Sequence, residues 1–458
     1  MEQETVSRIL EKSEKYCSHG DTVYYAKPPK VFAGCDGSFL FDEQGTPYLD
    51  WQMWYSSVNF GYKNKRITDA LKKQIDTLPQ LASQFLHAEK VELAETICRY
   101  VEDKYGMKGR VHFNVGGAQA IEDSLKLVRN FTGKTHQFAF MGGYHGRTLG
   151  ATAITSSYRY RRRFGDFADR AHFVPFPYCF RCQYDMRRET CNIYCHKEFE
   201  KLFDTEYQSF WDEKAGQCEF GAFYIEPVQG TGGYIIPPEG YMQRLQESLR
   251  KRHILLVADE VQMGMHRTGP LWSWENFGIV PDVFVFGKAL TNGLNPLSGI
   301  WAREELINPE RFPPGSTHST FASNPLGTAT ALEVMRMTQE GDFAAHVRQR
   351  GDYFLMRLQE LKSRWKMIGD VSGLGLALRI EICQEDGHTA NRALTDHLFN
   401  EALKGDLMLH GKKYGMILDI GGYEKNVITP APSLLITEEE IDLGIELLDM
   451  LLQRTGAR

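Results

Sequence analysis

Residues 255–290 read LLVADEVQMGMHRTGPLWSWENFGIVPDVFVFGKAL, and two apolar runs in this stretch decide the fold. Residues 254–258 and 283–286 are short and fully apolar, which is typical of buried strands. Each run is followed by polar groups, which include Asp259 after the first run and Lys288 after the second. Because ligands bind beyond the carboxyl ends of strands in α/β sheets, these polar residues are the first candidates for a functional site.

Strands and amphipathic helices alternate on the N-terminal side of this stretch. Residues 111–115 alternate apolar and polar side chains with a period of two, and residues 222–225 form another apolar run. Helical spacing of apolar residues follows each of them, over 118–128 and over 242–249. This alternation indicates βαβ units, so the sequence predicts an α/β fold with a mostly parallel central sheet flanked by helices.

The two ends of the chain predict a second, smaller α+β domain. Residues 30–62 contain short apolar runs separated by glycine turns, residues 374–382 are strand-like, and Thr437 with Glu440 forms a capping box for the last helix. A chain of 458 residues also exceeds the usual size of a single core. We therefore expect an N-terminal segment, 1–70, that joins a C-terminal small domain, 331–458, and a large domain over 71–330.

The composition of the chain argues against some classes of binding partner and indicates a cellular compartment. The net charge is −6 with 24% charged residues, which gives no reason to expect a nucleic acid or an acidic membrane as partner. No signal peptide and no apolar run of about 20 residues is present, so we expect no membrane segment. Nine cysteines, an odd number, fit a reducing compartment better than a disulfide framework, which favours the cytoplasm.

The residues that follow the strands carry reactive or charged groups. Each of these groups has a possible functional role and an ordinary structural explanation. Gly117 and Ala118 open a helix and present N–H groups to an anion such as phosphate, or they form a simple tight turn. Asp259 is costly to bury without a partner, so it is a cap, a salt bridge or the partner of a buried cation. Lys288 is either a solvated lysine or a Schiff-base lysine with a lowered pKa. Together, the phosphate cradle, the lysine nucleophile and the deep carboxylate are the three parts of a pyridoxal 5′-phosphate (PLP) site.

Five motifs in the chain resemble those of a known family, and the resemblance extends over residues 31–452. They are LLVADEVQMGMHRTG at 255–269, VPDVFVFGKAL at 280–290, YHGRTLGA at 144–151, IEPVQGTGG at 225–233 and HSTFASNPL at 318–326. In these motifs the chain resembles the class III aminotransferases, the group of ornithine, 4-aminobutyrate and ω-amino acid aminotransferases. The resemblance implies PLP fold type I.

The resemblance also implies roles around the cofactor ring. Lys288 matches the Schiff-base lysine, and Asp259 matches the partner of the pyridine nitrogen. Tyr144 matches the aromatic residue that stacks on the ring. Val261 matches the residue behind the ring, and Gln262 the one near the ring hydroxyl.

Further matches concern the phosphate, the substrate and the assembly. His145 stands beside the stacking residue, and Gly117 and Ala118 match the phosphate loop. Thr320 matches a threonine that reaches the phosphate from the neighbouring subunit, which implies a homodimer with shared active sites. Glu226 matches the glutamate that gates substrate charge near the cofactor.

The implied reaction moves an amino group between an amine and a keto acid. Lys288, once displaced by the substrate amine, would serve as the general base. One alternative is an amino acid racemase or epimerase on the same fold, which would use the same residues. A second is a PLP-binding regulator without catalysis; against it, Lys288, Asp259 and Tyr144 are all present and no DNA-binding segment is appended.

Several positions depart from the family pattern. Ala118 stands where serine or threonine is usual, and Trp54 stands where a small residue is common, next to Tyr55. These two aromatic residues either shape the substrate pocket or pack in the core. Thr231 replaces a frequent glutamate.

The largest departure is at Thr429, which replaces the arginine that grips an α-carboxylate with a two-pronged hydrogen bond. Either the amine substrate lacks an α-carboxylate, as an amino sugar, an aminocyclitol or another large amine would, or another cation substitutes. The first explanation is favoured for the amine. The candidate cations are Arg379, Lys412, Lys413 and the run from Arg159 to Arg163.

Four cysteines form a separate pattern. Cys179, Cys182, Cys191 and Cys195 are spaced as C-x2-C-x8-C-x3-C, with His196 adjacent. The outer spacings suit a zinc or iron–sulfur site, whereas reduced thiols that merely pack are the ordinary alternative. We expect the second, and the predicted site residues include no metal ligand.

Overall fold

The computed structural model describes residues 3–18, 20, 26–164, 167, 170–204, 206–207 and 209–456. Its strands, in chain order, are β1 Phe32–Asp36, β2 Phe39–Asp42, β3 Pro47–Asp50, β4 Gly109–Asn114, β5 His136–Phe140, β6 Arg170–Val174, β7 Trp211–Asp212, β8 Gln217–Cys218, β9 Phe220–Ile225, β10 Leu255–Asp259, β11 Val283–Phe286, β12 Ser298–Arg303, β13 Ile368–Leu374, β14 Ala377–Ile382, β15 Leu407–Leu409, β16 Lys412–Ile417, β17 Ile420–Gly421 and β18 Val427–Ile428. Its helices are α1 Gln3–Tyr16, α2 Met53–Ser56, α3 Lys65–Thr77, α4 Ala88–Tyr105, α5 Gly117–Thr132, α6 Leu149–Ala153, α7 Tyr158–Arg161, α8 Tyr194–Lys201, α9 Tyr241–Lys251, α10 Glu304–Ile307, α11 Pro325–Thr338, α12 Phe343–Arg364, α13 Arg392–Ala402 and α14 Glu438–Arg454.

A seven-stranded sheet, in the order β4-β12-β11-β10-β9-β5-β6, forms the centre of the large domain. The strands from β11 to β6 run parallel to one another, and β12 runs antiparallel to both β11 and β4. The predicted mostly parallel sheet is therefore confirmed. The antiparallel β12 was not predicted, because its sequence SGIWAR begins with two small residues and has no long apolar run.

Helices cover both faces of this sheet. In β10, Leu256 and Ala258 belong to one apolar cluster together with Leu245 of α9. Leu255 and Val257 point the other way and belong to a second cluster, with Ile121 and Leu125 of α5. Because both faces are covered, β9, β10 and β11 are buried at every residue, which explains why their sequences are continuously apolar.

The N-terminal strands pair with strands near the C-terminus. A five-stranded sheet has the order β1-β2-β3-β16-β15, and β3 and β16 pair in parallel, with Tyr48 opposite Gly415. This pairing supports the expected joining of the N-terminal segment to the C-terminal part; the three domain boundaries themselves remain a prediction. The predicted capping box is confirmed, because Thr437 N donates to Glu440 Oε2 at 3.1 Å and Glu440 N donates to Thr437 Oγ1 at 3.2 Å.

The interpretation of residues 374–382 as one strand is wrong. The segment turns at Gly375, so β13 ends at Leu374 and pairs antiparallel with β14, which begins at Ala377. Gly375 has a φ of +57°, and a Cβ at this position would lie 2.6 Å from the backbone of Thr268. Only glycine tolerates both the positive φ and the close backbone of Thr268. The turn therefore interrupts a run of apolar residues that looks continuous in the sequence.

Within the described ranges, we find no helix long and apolar enough to span a bilayer.

Candidate active site

A cavity of about 710 Å³ opens where three parallel strands of the central sheet end. Glu226 follows β9, Asp259 is the last residue of β10, and Lys288 lies two residues after β11; all three side chains line the cavity. Tyr144, after β5, also lines it. The sequence placed these groups on separate strand ends, and the parallel order of the strands brings them to one edge of the sheet.

Lys288 is held in a conformation that side chains rarely adopt. Its φ is +44°, at the start of a short 3-10 helix over residues 288–291. Burial lowers the pKa of its ammonium, an effect that the negative charges of Asp259, Glu226 and Asp419 oppose. In the described part of the chain no residue accepts a hydrogen bond from its Nζ. A lysine amine with a lowered pKa and no internal partner is available as a nucleophile.

Asp259 and His145 form a buried pair. His145 Nδ1 lies 2.9 Å from Asp259 Oδ2, and Val261 N donates to Asp259 Oδ1 at 3.1 Å. Burial lowers the pKa of His145, but the hydrogen bond to Asp259 and the charges of Asp259 and Glu226 together outweigh burial, so the pKa is raised. His145 thereby gives Asp259 a buried partner at the end of a fully buried strand, where an unpaired charge is costly.

Glu226 supplies a second carboxylate to the cavity. One oxygen accepts a hydrogen bond from Tyr144 N at 2.9 Å, and the other accepts one from Gly230 N, also at 2.9 Å. Burial raises the pKa of Glu226 to about 7, while the charge of His145 opposes the rise and that of Asp259 adds to it. Glu226 can therefore change its charge near neutral pH.

The start of α5 forms the anion-binding end of the cavity. Gly116 has an extended backbone before the helix, and Gly117 and Ala118 line the cavity. A Cβ on Gly117 would lie 3.0 Å from Val261 Cγ1, so a larger residue here would press on the side chain behind the cavity. The free N–H groups at the start of this helix of 16 residues, Gly117–Thr132, suit a phosphate.

Comparison with known proteins settles the family. A family model for the class III aminotransferases matches residues 25–452. The chain belongs to this family.

Relatives of this family member include both transaminases and racemases. A leucine/methionine racemase from Thermococcus litoralis is 28% identical, over 96% of this chain and 94% of the relative. An ornithine aminotransferase from Brevibacillus brevis is 29% identical, over 98% of each chain. Among solved structures, an amine transaminase from an uncultivated Pseudomonas species in its PLP-bound form has a TM-score of 0.84 at 25% identity, over 96% of this chain and 99% of the other.

Family membership confirms the predicted fold type and the predicted cofactor, PLP. The residues of the cavity fit this cofactor chemically. Lys288 provides an amine with a lowered pKa, Asp259 a carboxylate that a histidine stabilises, and the start of α5 a set of N–H donors. These are the three groups that bind an aldehyde, a pyridine nitrogen and a phosphate.

The other predicted residues fall into two sets. Val261, Gln262 and Tyr55 line the cavity, and Gln262 Nε2 donates to Tyr234 OH at 3.2 Å. Trp54 does not line it; its exposed fraction is 57%, and that of Tyr55 is 40%, so neither packs in the core of the chain.

The remaining two, Thr320 and Thr429, lie outside the cavity lining. Thr320 is exposed, and its predicted role towards a neighbouring subunit stays a prediction. Thr429 is buried behind the cavity wall, where its hydroxyl donates to Asp419 Oδ2 at 3.0 Å.

Sequence reasoning missed five polar residues of the cavity: Arg147, Thr148, Tyr160, Asp419 and Lys425. Arg147 lies inside the quoted motif at 144–151, which was the one available signal for it. Asp419 and Lys425 lie in loops next to the short strands β17 and β18, where no periodicity marks them.

The cations that the sequence offered as substitutes for the family arginine do not line the cavity. Arg379 is buried and paired, with Nη1 3.1 Å from Asp370 Oδ2 and a second ion pair to Glu381. Lys412 and Lys413 are exposed on β16. Of the run 159–163, only Tyr160 contributes to the described lining.

The four cysteines of the 179–195 loop line a separate cavity of about 410 Å³. Over the ranges that the structure covers, no three histidine, cysteine or acidic side chains come together as a metal site. Burial raises the pKa of Cys179, and it raises that of Cys195 to about 12, so both remain thiols at neutral pH. The metal-site hypothesis therefore receives no support from this geometry.

Proposed function

We propose that this family member transfers an amino group from an amine that lacks an α-carboxylate to a keto acid. The observation that carries the proposal is Thr429. It stands where the family arginine is expected, it is buried, and its hydroxyl donates to Asp419. The position therefore offers a carboxylate-bound hydroxyl in place of a cation, and a carboxylate on the amine substrate would meet no partner there.

Each of the following residues would have a separate role in the proposed reaction. Lys288 would bind the cofactor covalently and, once displaced by the substrate amine, its Nζ would move the proton of the substrate carbon. Asp259, held by His145, would stabilise the charge of the pyridine nitrogen. PLP, when bound, supplies the electron-accepting ring that stabilises a carbanion at the substrate carbon. Gly117 and Ala118 would hold the phosphate through backbone N–H groups.

Lys425 is the cation we assign to the keto acid. It lines the cavity, and no carboxylate of the described residues lies within ion-pair distance of its Nζ. Burial lowers the pKa of Lys425, whereas the charge of Asp419 opposes this. An incoming carboxylate would stabilise the ammonium more effectively than water does in this position. Arg147, another basic residue of the cavity, lies over the ring of Tyr160 at 4.7 Å.

Racemisation is the second candidate function, because the relative from Thermococcus litoralis is a racemase. A racemase acts on an amino acid alone, so its site must hold an α-carboxylate in every turnover. The buried hydroxyl of Thr429 disfavours this.

Stoichiometry separates the two candidate functions. With a productive amine and 2-oxoglutarate or pyruvate in D₂O, we expect one keto acid to be consumed for each carbonyl product formed. The measurement is chromatographic quantification of both products, with NMR of the recovered amine. Loss of chirality with deuterium uptake, in the absence of any keto acid, would instead establish the racemase.

A second expected result concerns Thr429→Arg. We expect the arginine to raise kcat/KM for a simple α-amino acid donor about tenfold or more, since hydrogen bonds to charged groups contribute about 1.5–3 kcal/mol each. Turnover of the native amine should fall. Asp419 will compete for the new guanidinium, so the gain should be larger when Asp419→Asn is added.

Thr429→Lys is the matched control for that experiment. Lysine adds a cation but cannot form the two parallel hydrogen bonds of an arginine, so the gain in kcat/KM for an α-amino acid should be smaller. If the unmodified enzyme already uses ornithine or 4-aminobutyrate with ordinary efficiency, our interpretation of Thr429 is wrong.

We also propose that the protein is a homodimer and that it is located in the cytoplasm. Large apolar side chains are exposed on the chain near Thr320, including Phe321 at 71%, which suits a surface that a second subunit covers. All nine cysteines are free thiols, as expected in a reducing compartment.

A further inference from the structure

Asp419 is a carboxylate in the cavity that none of the steps above uses. It follows β16, precedes β17, and lines the cavity with Lys288 and Glu226. Gln52 Nε2 donates to its Oδ1 at 3.2 Å, and Thr429 Oγ1 donates to its Oδ2 at 3.0 Å. A carboxylate has about four acceptor positions, so two neutral donors leave it with unused capacity on the cavity side.

No cation in the described part of the chain neutralises this carboxylate. Lysine, arginine and histidine nitrogens of the described residues all lie more than 4.0 Å from its oxygens, so Lys288 and Lys425 interact with its charge only over a longer distance. Burial raises the pKa of Asp419, and the hydrogen bonds from Gln52 and Thr429 oppose the rise. Such a group is costly to keep charged inside a protein unless a cation joins it.

We propose that Asp419 binds a second ammonium group of the amine substrate, so that the substrate is a diamine in the broad sense, including an amino sugar or aminocyclitol with two amino groups. This inference rests on the proposed aminotransferase function and names its donor class. One amino group reacts at Lys288, and the other pairs with Asp419.

Charge decides between an ammonium and a neutral hydroxyl as the group that Asp419 binds. Gln52 and Thr429 already supply neutral donors, and a third neutral donor would leave the negative charge in place. Only a cation compensates the charge of a carboxylate that is half-buried in the cavity wall. Asp50 strengthens the case for a cation, because Asp50 is buried and its charge and that of Asp419 repel each other.

The test compares matched donors on the complete holoenzyme. The α,ω-diamines of three to six carbons are each paired with the monoamine of equal length, with 2-oxoglutarate or pyruvate as acceptor. At least one diamine should exceed its monoamine by about tenfold or more in kcat/KM, the size expected for one charge-assisted hydrogen bond. 4-Aminobutyrate, which carries an anion at the far end, should be a poorer donor than 1-aminobutane.

Asp419→Asn should abolish the preference for the diamine, because the asparagine has no negative charge to pair with a second ammonium group. The asparagine keeps the size of the side chain, and its Nδ2 can donate to the Thr429 hydroxyl. Lys425→Ala is the contrasting variant, because it should raise KM for the keto acid and leave the diamine preference intact.

A binding measurement without turnover supports the same assignment. N,N-Dimethylbutylamine is protonated at neutral pH but cannot form an imine, and calorimetry should show about tenfold weaker binding to Asp419→Asn than to the unmodified enzyme. Transamination of amines without preference for any diamine would overturn the role of Asp419 and leave the proposed function intact. Absence of transamination with every amine would overturn the proposed function itself. An Asp419→Asn variant that loses all donors equally would show a structural role only.

Discussion

Replacing Lys288 with alanine is expected to abolish turnover and to remove the visible absorption of the lysine-bound cofactor. The variant loses both the covalent anchor and the general base, and a general base alone contributes about 10²- to 10⁴-fold to the rate. The measurements are an absorption spectrum of the purified protein with added PLP and a rate assay with the best donor found in the screen.

Lys251→Ala is the matched control for the loss of a lysine. Lys251 lies at the end of α9, where its Nζ is 2.9 Å from Glu247 and 65% of its side chain is exposed. Both the spectrum and the rate of this variant should match those of the unmodified enzyme. A small amine such as methylamine should partly restore proton transfer in Lys288→Ala, because the deleted side chain leaves room for it. Unchanged activity in Lys288→Ala would refute the assignment.

The cofactor end of the site could be predicted because it is built on buried parallel strands. Such strands are continuously apolar, so the first polar residue after each of them stands out in the sequence. Asp259 and Lys288 were found in this way, and the structure places both on one cavity. Motif resemblance then added residues that periodicity cannot find, such as Tyr144 and Gln262.

The substrate end could not be predicted in the same way. Asp419 and Lys425 lie in loops beside strands of two residues, β17 and β18, which are too short to show a pattern. They come together with Lys288 only because the small domain packs its loops over the ends of the central strands. The sequence did show that an arginine is absent at Thr429, but it could not show that a carboxylate lies behind that position.

Trp54 illustrates a different limit. Its position next to Tyr55 suggested that both rings shape the substrate pocket, but only Tyr55 lines the cavity, and the backbone of α2 has left-handed angles at both residues. Four consecutive residues, 53–56, have φ between 44° and 60°, a run that helical or strand periodicity does not anticipate. Hydrogen bonds from Gln52 N and Met53 N to Asp50 Oδ1, at 2.7 and 2.8 Å, hold the start of this turn.

Asp259→Asn is expected to lower kcat by about 10²- to 10³-fold, the usual cost of removing one preorganised electrostatic contact with a transition state. The asparagine has nearly the same shape, so Val261 N keeps an acceptor. What is lost is the negative charge that stabilises a protonated pyridine nitrogen. His145 also loses its partner, so burial then dominates and its pKa should fall below the ordinary value of about 6.5.

The control for that variant is Asp282→Asn. Asp282 precedes β11 at the opposite end of the parallel strands, accepts a hydrogen bond from Leu256 N at 2.7 Å and does not line the cavity. Its replacement should lower thermal stability without changing the cofactor spectrum. Rates, spectra and an NMR titration of His145 distinguish the two variants, because only Asp259→Asn should change all three. An Asp259→Asn enzyme with normal kcat and a normal His145 titration would show that this carboxylate neither stabilises the cofactor nor acts on the histidine.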